Sequence, residues 1–514
     1  MPGSNRAARE ASCIGRRLNK PTRYEGGRKG TASHERRTTV LVIILALACG
    51  GQRASSQVFP ASKRKTLPDL IFVQASVVHP GGLDLGFPDG SRLVRLERGT
   101  GTVKLKNLIP KFFAAADPII SFDGAKIFFS GRKSSHARWQ VWTMNADGSN
   151  LRQLTHCPGG CFSPVCLPRG RIAFTEIAGK GSGRWSAVYV SKEDGTNAHP
   201  ITFGPGNFRT ETVLLNGRLV VSADEPLVPH GPAGVGRALY WMNPDGSELT
   251  LLRQFRQGDV VRTEADELDN GVLLFVERGG AGGRESGGRL AWIRRGRLHS
   301  ALLTDPQTVY WSANELGGDS LVVSKEDEKA GSVSGRFDLY AFNLKRKALG
   351  DLIYGDPTFS SVQPVALKAR PAPRYYWSIL HPGMSTGRIL CLDAYLSSEA
   401  PAGRLGGRIS KVRVIELQSS GHEKRLGDAP VQEDGSFYIR VPADRPIRFA
   451  LLSAQDHLIQ AQQSWIWVRP GEDRGCLGCH ESPALTPRDH WPLALRRFNG
   501  PTPVGLPIRP KPAH

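Results

Sequence analysis

Short apolar strands, each entered from a turn, recur along the middle of the chain at a spacing that few folds accommodate. They read "DGAKIFFSG" with Phe129, "RGRIAFTE" with Phe174, "NGRLVVSAD" with Val221, "DNGVLLFVE" with Phe275 and "GDSLVVSK" with Val323, and these anchors lie 45, 47, 54 and 48 residues apart. "PDLIFVQA", with Phe72, extends the series to six. A period of about 50 residues holding roughly four strands is that of a β-propeller blade, whereas tandem β-sandwiches need about 100 residues per repeat. The fold class expected is therefore all-β: a six-bladed β-propeller over residues 66–375 followed by a small β-sandwich-like domain.

Each unit has a second half. "QVWTMNADGSNLRQLT" (140–155), "AVYVSKEDGTNAHPIT" (187–202), "ALYWMNPDGSELTLL" (238–252) and "DLYAFNLKRKALGDL" (338–352) each read as strand, tight turn, strand. Asp-Gly in three of them supplies the positive φ of a two-residue hairpin turn. The units resemble TolB-type propeller repeats, in which strand, Asp-Gly turn and a "RQLT"-like exit recur.

"LKARPAPRYY" (367–376), with Pro371 and Pro373, marks a boundary. Beyond it "GRILCLDAYL", "KVRVIELQ", "GSFYIRVP" and "IRFALLSA" alternate apolar and polar residues between turns, and "SWIWVRP" reads as the last strand of a sandwich of about 85 residues. Directly after it stands "RGCLGCHES" (474–482). Its Cys-x-x-Cys-His pattern is that of covalent haem attachment, in which two thiols add to the porphyrin vinyl groups and the His ligates iron. A thioredoxin-like pair would need a strand-to-helix setting and a zinc knuckle a second ligand pair nearby; neither context is present. The site expected is one covalent haem c on Cys476 and Cys479 with His480 on the iron. No room remains for a separate helical cytochrome domain, so the haem is expected against the sandwich, the propeller or both. Trp465 and Trp467 are either its packing shell or plain core.

Haem attachment demands export, and the other end of the chain supplies a signal for it. After Arg36 and Arg37 comes "TVLVIILALACGG" (39–51), too short to span a bilayer and ordered as a secretory signal is. "LALAC" has the form of a lipoprotein cleavage box, which makes Cys49 the expected lipidated residue. The organisation expected is a leader over 1–48, a linker over 49–65, the propeller over 66–375 and the β-rich domain over 376–514. The setting is extracytoplasmic, periplasm or cell surface, with membrane contact only through the lipid anchor. The net charge of +21 falls to +14 without residues 1–48, and no basic stripe interleaved with aromatics argues for nucleic acid.

With "EDGSFYIRVPADRPIRFALLSAQDHLIQAQQSWIWVRPGEDRGCLGCHES" (433–482) and "WPLALRR" (491–497) following a TolB-like propeller, the whole chain resembles the hydrazine synthase α-subunit family. The resemblance implies haem thioethers at Cys476 and Cys479, a partner subunit or redox protein, and a zinc ion beside the haem. Two departures bear on the chemistry. The family's hydrazine-forming member has a second haem in a further C-terminal domain, and no second Cys-x-x-Cys-His stands before His514. In that enzyme a Tyr shortly after the motif reaches the iron while the motif His serves zinc, and here Tyr438 is the last tyrosine. His480 is therefore the expected proximal ligand, and hydrazine formation is not expected.

Opposite His480, methionine is disfavoured because Met144 and Met242 sit on repeat strands, leaving Met384. His490 is nearest in sequence, with His457 in the preceding hairpin; an open position is the other reading. A bis-His iron suits electron transfer and an open one small-molecule chemistry. Cys157, Cys161 and Cys166 in "HCPGGCFSPVC" read as holding a local disulfide, the alternative being a metal bound by Cys157 and Cys161 with His156. "GMSTG" (383–387) fits a hydrolase nucleophile pattern, but it precedes a strand and lacks an α/β fold around it, so Ser385 reads as a turn residue. Two functions follow: a haem c redox protein with a propeller platform, or a surface-lipoprotein binding module whose haem is structural.

Overall fold

The computed structural model describes residues 67–506 apart from 80–84, 99–102, 180–183, 227–234, 253–260, 279–286, 295–299, 306, 328–334, 398–399, 401, 463, 479–490 and 497–498. All 32 strands of these residues belong to eight four-stranded sheets. Six are antiparallel sheets built from residues 70–366, and they follow the repeat. Phe72, Phe129, Phe174, Val221, Phe275 and Val323 all lie on the second strand of successive sheets, and all are almost fully buried. The third strand sets an aromatic against several of them: Phe129 pairs with Trp142, Phe174 with Tyr189, Val221 with Tyr240 and Val323 with Tyr340. Such cross-strand pairs stabilise a sheet by about 0.2–1 kcal/mol each.

The first strands of the six sheets pack on one another in a closed cycle, which makes the array propeller-like. The cycle is completed by a strand from the far end of the segment: Ser360–Ala366 pairs antiparallel with Leu70–Ala75 and becomes the inner strand of the sheet that holds the chain's first three strands. Joining both ends of the array in one sheet removes an open edge.

The Asp-Gly turns differ from the two-residue hairpin expected. In Asn145–Ser149 the Gly148 N–H donates to Asn145 O (2.9 Å) and the Asn145 N–H to Ser149 O (2.9 Å), and only the glycine, at φ 89°, is left-handed. This is a three-residue loop, a type I turn closed by glycine. The aspartate instead accepts the N–H two residues on, Ser149 to Asp147 Oδ1 at 2.8 Å. Lys192–Thr196, Asn243–Ser247 and, outside the array, Gln432–Ser436 repeat the arrangement.

The remaining two sheets form the β-rich region after residue 385. One is mixed, in the order Asp473–Cys476, Thr386–Cys391, Phe437–Pro442, Thr502–Pro503, with both outer strands parallel to their neighbours. The other is antiparallel, in the order Glu423–Pro430, Lys411–Leu417, Ile447–Leu452, Leu458–Ala461. Ile389, Cys391, Phe437 and Ile439 of the first bury one core with Val412, Val414, Phe449 and Leu451 of the second. "SWIWVRP" is not the strand expected: only Ile466 bridges to Ile447. The segment leaves the sheet because the Trp467 side chain is spent elsewhere.

Candidate functional site

The strand that leads into the Cys-x-x-Cys-His motif, Asp473–Cys476, is an edge strand held in register by Thr386–Cys391, with Cys476 opposite Cys391. Past it, Leu392 N–H donates to Cys476 O (2.9 Å) and Asp393 N–H to Leu477 O (3.1 Å), so the motif backbone stays fixed for two more residues. Gly478 is pressed against the neighbouring loop, where a Cβ would come within 2.6 Å of Leu396 Cβ and O. Gly475 faces open space. Cys476 is half-buried at the rim of the sandwich core. A half-exposed thiol on a backbone held in register fits thioether attachment. Cys479, His480 and His490 lie outside the described residues, as does Cys49.

Strand alternation puts Arg474 and Cys476 on one side. The Arg474 guanidinium donates to Trp467 O (3.1 Å) and to Leu249 O (2.7 Å), a carbonyl of the fourth propeller sheet's outer edge. Arg474 thus ties the strand to the propeller two residues before Cys476, whose own side chain packs at the rim of the sandwich core. The contact is extensive. Arg469 donates to Asp245 O (2.8 Å) and pairs with Asp444 (2.7 Å), while Glu472, its pKa raised by burial, accepts the N–H of Glu248 (3.0 Å) and of Arg469 (2.7 Å). Trp467 is fully buried against Phe203 and Phe208, inside a cluster of propeller residues. Of the two readings of Trp467 the core reading holds, in the propeller's core. Burying an indole of about 150–250 Å² contributes roughly 4–6 kcal/mol at most. Trp465 lies beneath Arg448, whose Cζ is 5.0 Å from its ring centre.

A second polar cluster lies where the first strands meet. Each carries a one-residue bulge, with the extra residues Gln363, Asp117, Ser163, Glu211, Glu264 and Trp311 in sheet order, and the sixth has a second shift between Glu315 and Gly317. Four of them, Asp117, Ser163, Glu264 and Gln363, hold φ between 51° and 53°, a left-handed conformation costly for non-glycine residues and found mostly where function or tight packing requires it. Asp117 accepts four side-chain hydrogen bonds, from Arg209 (2.9 Å), Gln363 (2.9 Å), Ser163 (2.9 Å) and Ser130 (3.0 Å). Gln363 also reaches Glu264 (3.3 Å), skipping the sixth sheet, so the network crosses the ring. Burial pushes the Glu264 carboxyl up to about 7, against the pull of Arg209 and Arg278, and pushes the Arg278 guanidinium down to about 10. This cluster escaped the sequence reading. Its signal was a polar residue before proline in an otherwise apolar run, Asp117-Pro118, Ser163-Pro164 and Gln363-Pro364, since proline inside a strand marks a bulge.

The other readings fall as follows. Cys157 and Cys161 are joined by a disulfide and Cys166 is buried, its thiol pushed up to about 12 by burial. Ser385 lies in a bend leading into Thr386–Cys391, not in a strand-to-helix elbow. His457 is exposed in the hairpin between Ile447–Leu452 and Leu458–Ala461. No helix among the described residues is long and apolar enough to cross a membrane.

Fold and site together define an all-β protein in which a propeller-like array is locked to a second β domain whose edge strand ends at the first cysteine of a Cys-x-x-Cys-His motif. Residues 403–481 match the hydrazine synthase alpha subunit middle domain. The chain is 24% identical over 524 residues to the hydrazine synthase subunit alpha of Kuenenia stuttgartiensis, covering 76% of this chain and 63% of that relative. The solved hydrazine synthase of the same organism superposes with a TM-score of 0.70 at 20% identity, over 84% of this chain and 71% of that one. TolB from Acinetobacter baumannii matches more weakly, with a TM-score of 0.42 at 12% identity over 58% of this chain and 66% of its own. The chain is thus similar to the hydrazine synthase alpha subunit over most of its own length, and it spans about 63% of that relative's length.

Proposed function

We propose that the chain is an exported c-type haem protein in which Cys476 and Cys479 hold the porphyrin through thioethers, His480 serves the iron, and the propeller-like array is the platform beside it. The carrying observation is that Arg474, two residues before Cys476, donates to a carbonyl of the fourth propeller sheet, so that the Cys-x-x-Cys-His motif begins beside the array. Bound there, the haem supplies one-electron or small-molecule redox chemistry. The chain's own residues do the positioning: Arg474, Glu472 and Arg469 tie the motif to the propeller, and Gly478 seats it on the sandwich. The reading includes an extracytoplasmic location, lipidation at Cys49, and a redox partner or companion subunit of the kind that a relative named as a subunit suggests. The reading does not include hydrazine formation, since the resemblance places a tyrosine shortly after the motif and residues 481–514 hold none.

Protein produced with a haem-maturation system should carry the added mass of one haem and a c-type absorbance spectrum, both lost in Cys476→Ala/Cys479→Ala. An unmodified mass under those conditions sinks the proposal. Carbon monoxide then divides the roles: rapid binding to the reduced protein assigns an open iron and small-molecule chemistry, while slow binding that becomes rapid in His490→Ala assigns bis-His ligation and electron transfer.

A further inference from the structure

The disulfide on the third propeller sheet lies beside a carboxylate that the sequence did not associate with it. Cys161 and Glu176 are directly opposite on the paired strands Cys161–Leu167 and Arg171–Ala178. The Sγ atoms of Cys157 and Cys161 and a carboxylate oxygen of Glu176 all lie within 4.8 Å of one another. Glu176 is half-buried, and that burial raises its pKa. Among the described residues no group donates a hydrogen bond to it or pairs with its charge. Once the disulfide is reduced, two thiolates and a carboxylate brought this close together are a ligand set for zinc.

We propose that Cys157, Cys161 and Glu176 form a zinc site that the disulfide closes. The disulfide and metal readings of this loop are then two oxidation states of one site. A dithiol passes two electrons and two protons to the disulfide and is itself oxidised to a disulfide; the two cysteine thiols formed release both protons as Zn²⁺ binds their thiolates. Glu176 supplies the third ligand and water the fourth. Opening requires the sulfurs to separate to roughly 3.8 Å, as bonds of about 2.3 Å at tetrahedral angles demand.

The backbone keeps both cysteines in place without help from the sulfur bond. Gln140 holds Cys157 from both sides, accepting its N–H (3.0 Å) and donating to its carbonyl (2.8 Å). Cys161 N–H donates to Trp139 O (2.8 Å), Ile177 N–H to Gly160 O (2.9 Å) and Gly160 N–H to Cys157 O (3.2 Å). Gly159 is hemmed in so closely that a Cβ would fall 1.9 Å from Ile177 O. The Cα atoms are 5.9 Å apart. Reduction therefore leaves two thiols aimed at Glu176 instead of a loose loop.

The test uses the full chain with Cys476→Ser and Cys479→Ser, so that the haem motif contributes no thiol. After reduction with a phosphine in the absence of air, Co²⁺ should bind one per chain with a near-ultraviolet thiolate-to-cobalt charge-transfer band, and Zn²⁺ should displace it. The oxidised protein should show no band. Glu176→Gln should keep the band and bind at least roughly tenfold more weakly, and Cys157→Ser/Cys161→Ser should lose it. A thermal unfolding curve for each variant separates loss of the site from loss of the fold. The proposal is overturned if the reduced, folded protein shows no band, if the oxidised protein binds equally well, or if Glu176→Gln leaves affinity unchanged.

Discussion

The indole N–H of Trp467 donates to the main-chain carbonyl of Gly246 at 3.0 Å, a buried hydrogen bond between residues 221 positions apart. Gly246 is the left-handed glycine of an Asp-Gly turn, at φ 87°, and a Cβ there would strike Ile201 O at 2.2 Å. A turn that serves its own hairpin thus also receives the segment leading to the Cys-x-x-Cys-His motif.

Trp467→Phe should therefore weaken docking more than its small volume change suggests. It strands the buried Gly246 carbonyl at a cost of about 1–3 kcal/mol, and Trp467→Ala adds a cavity for a total of about 3–5 kcal/mol. The measurement is limited proteolysis together with thermal unfolding: both variants should be cut faster between residues 367 and 385 than the parent. Unchanged proteolysis in Trp467→Ala would show that the segment does not fasten the two regions.

Asp117 and Arg209 pair at 2.9 Å with side chains only 7% and 13% exposed. Removing one partner of such a pair leaves an uncompensated buried charge, so Asp117→Ala should cost about 3–5 kcal/mol. Asp117→Leu/Arg209→Met should cost less than the sum of the single changes. Denaturant unfolding of the two singles and the double gives the coupling, and strict additivity would exclude the pairing.

Glu264 predicts a pH dependence with a definite sign. Its carboxyl titrates near 7 when folded and near 4.5 when unfolded, so between those values the native state holds a proton that the unfolded chain has lost. Stability from this group is greatest below about pH 4.5, falls as pH rises to 7 and is level above it, a loss on the order of 3 kcal/mol. Glu264→Gln should flatten that part of the stability profile and unfold at higher temperature than the parent at pH 8. The groups acting on Glu264 are Arg209, Asp117, Glu211 and Arg278, and none of them is changed by this substitution. A parent and a Glu264→Gln profile that run parallel from pH 5 to 8 would refute the assignment.

Gly478→Ala should disturb the motif without touching a haem ligand. Its Cβ meets the Cβ and the carbonyl oxygen of Leu396, both at 2.6 Å, and trimming Leu396 to alanine removes neither atom. Overpacking of this kind costs about 1–3 kcal/mol. The expected result is a lower yield of haem-bearing protein by mass analysis, not restored by Leu396→Ala, while Gly475→Ala, in open space, should leave the yield unchanged.

The sequence by itself determined the blades, because everything that makes a blade is local. Alternation about Phe129 or Val323 fixes which residues share a face, the following glycine fixes where the strand turns, and the 50-residue period fixes how many strands each unit holds. The Cys-x-x-Cys-His motif was legible for the same reason. Only the tertiary structure decided what these local pieces meet. The inner strand of the first sheet comes from Ser360–Ala366, nearly 300 residues beyond its partner, and no pattern within either strand names the other. Asp117, Gln363 and Glu264 look like isolated polar residues until the first strands close on one another and bury them together. "SWIWVRP" has the alternation of a strand, yet burying Trp467 between Phe203 and Phe208 removes more apolar surface from water than a place on the sheet edge would. Alternation specifies faces, not partners, and Cys161 found Glu176, like Arg474 the carbonyl of Leu249, only when the chain packed.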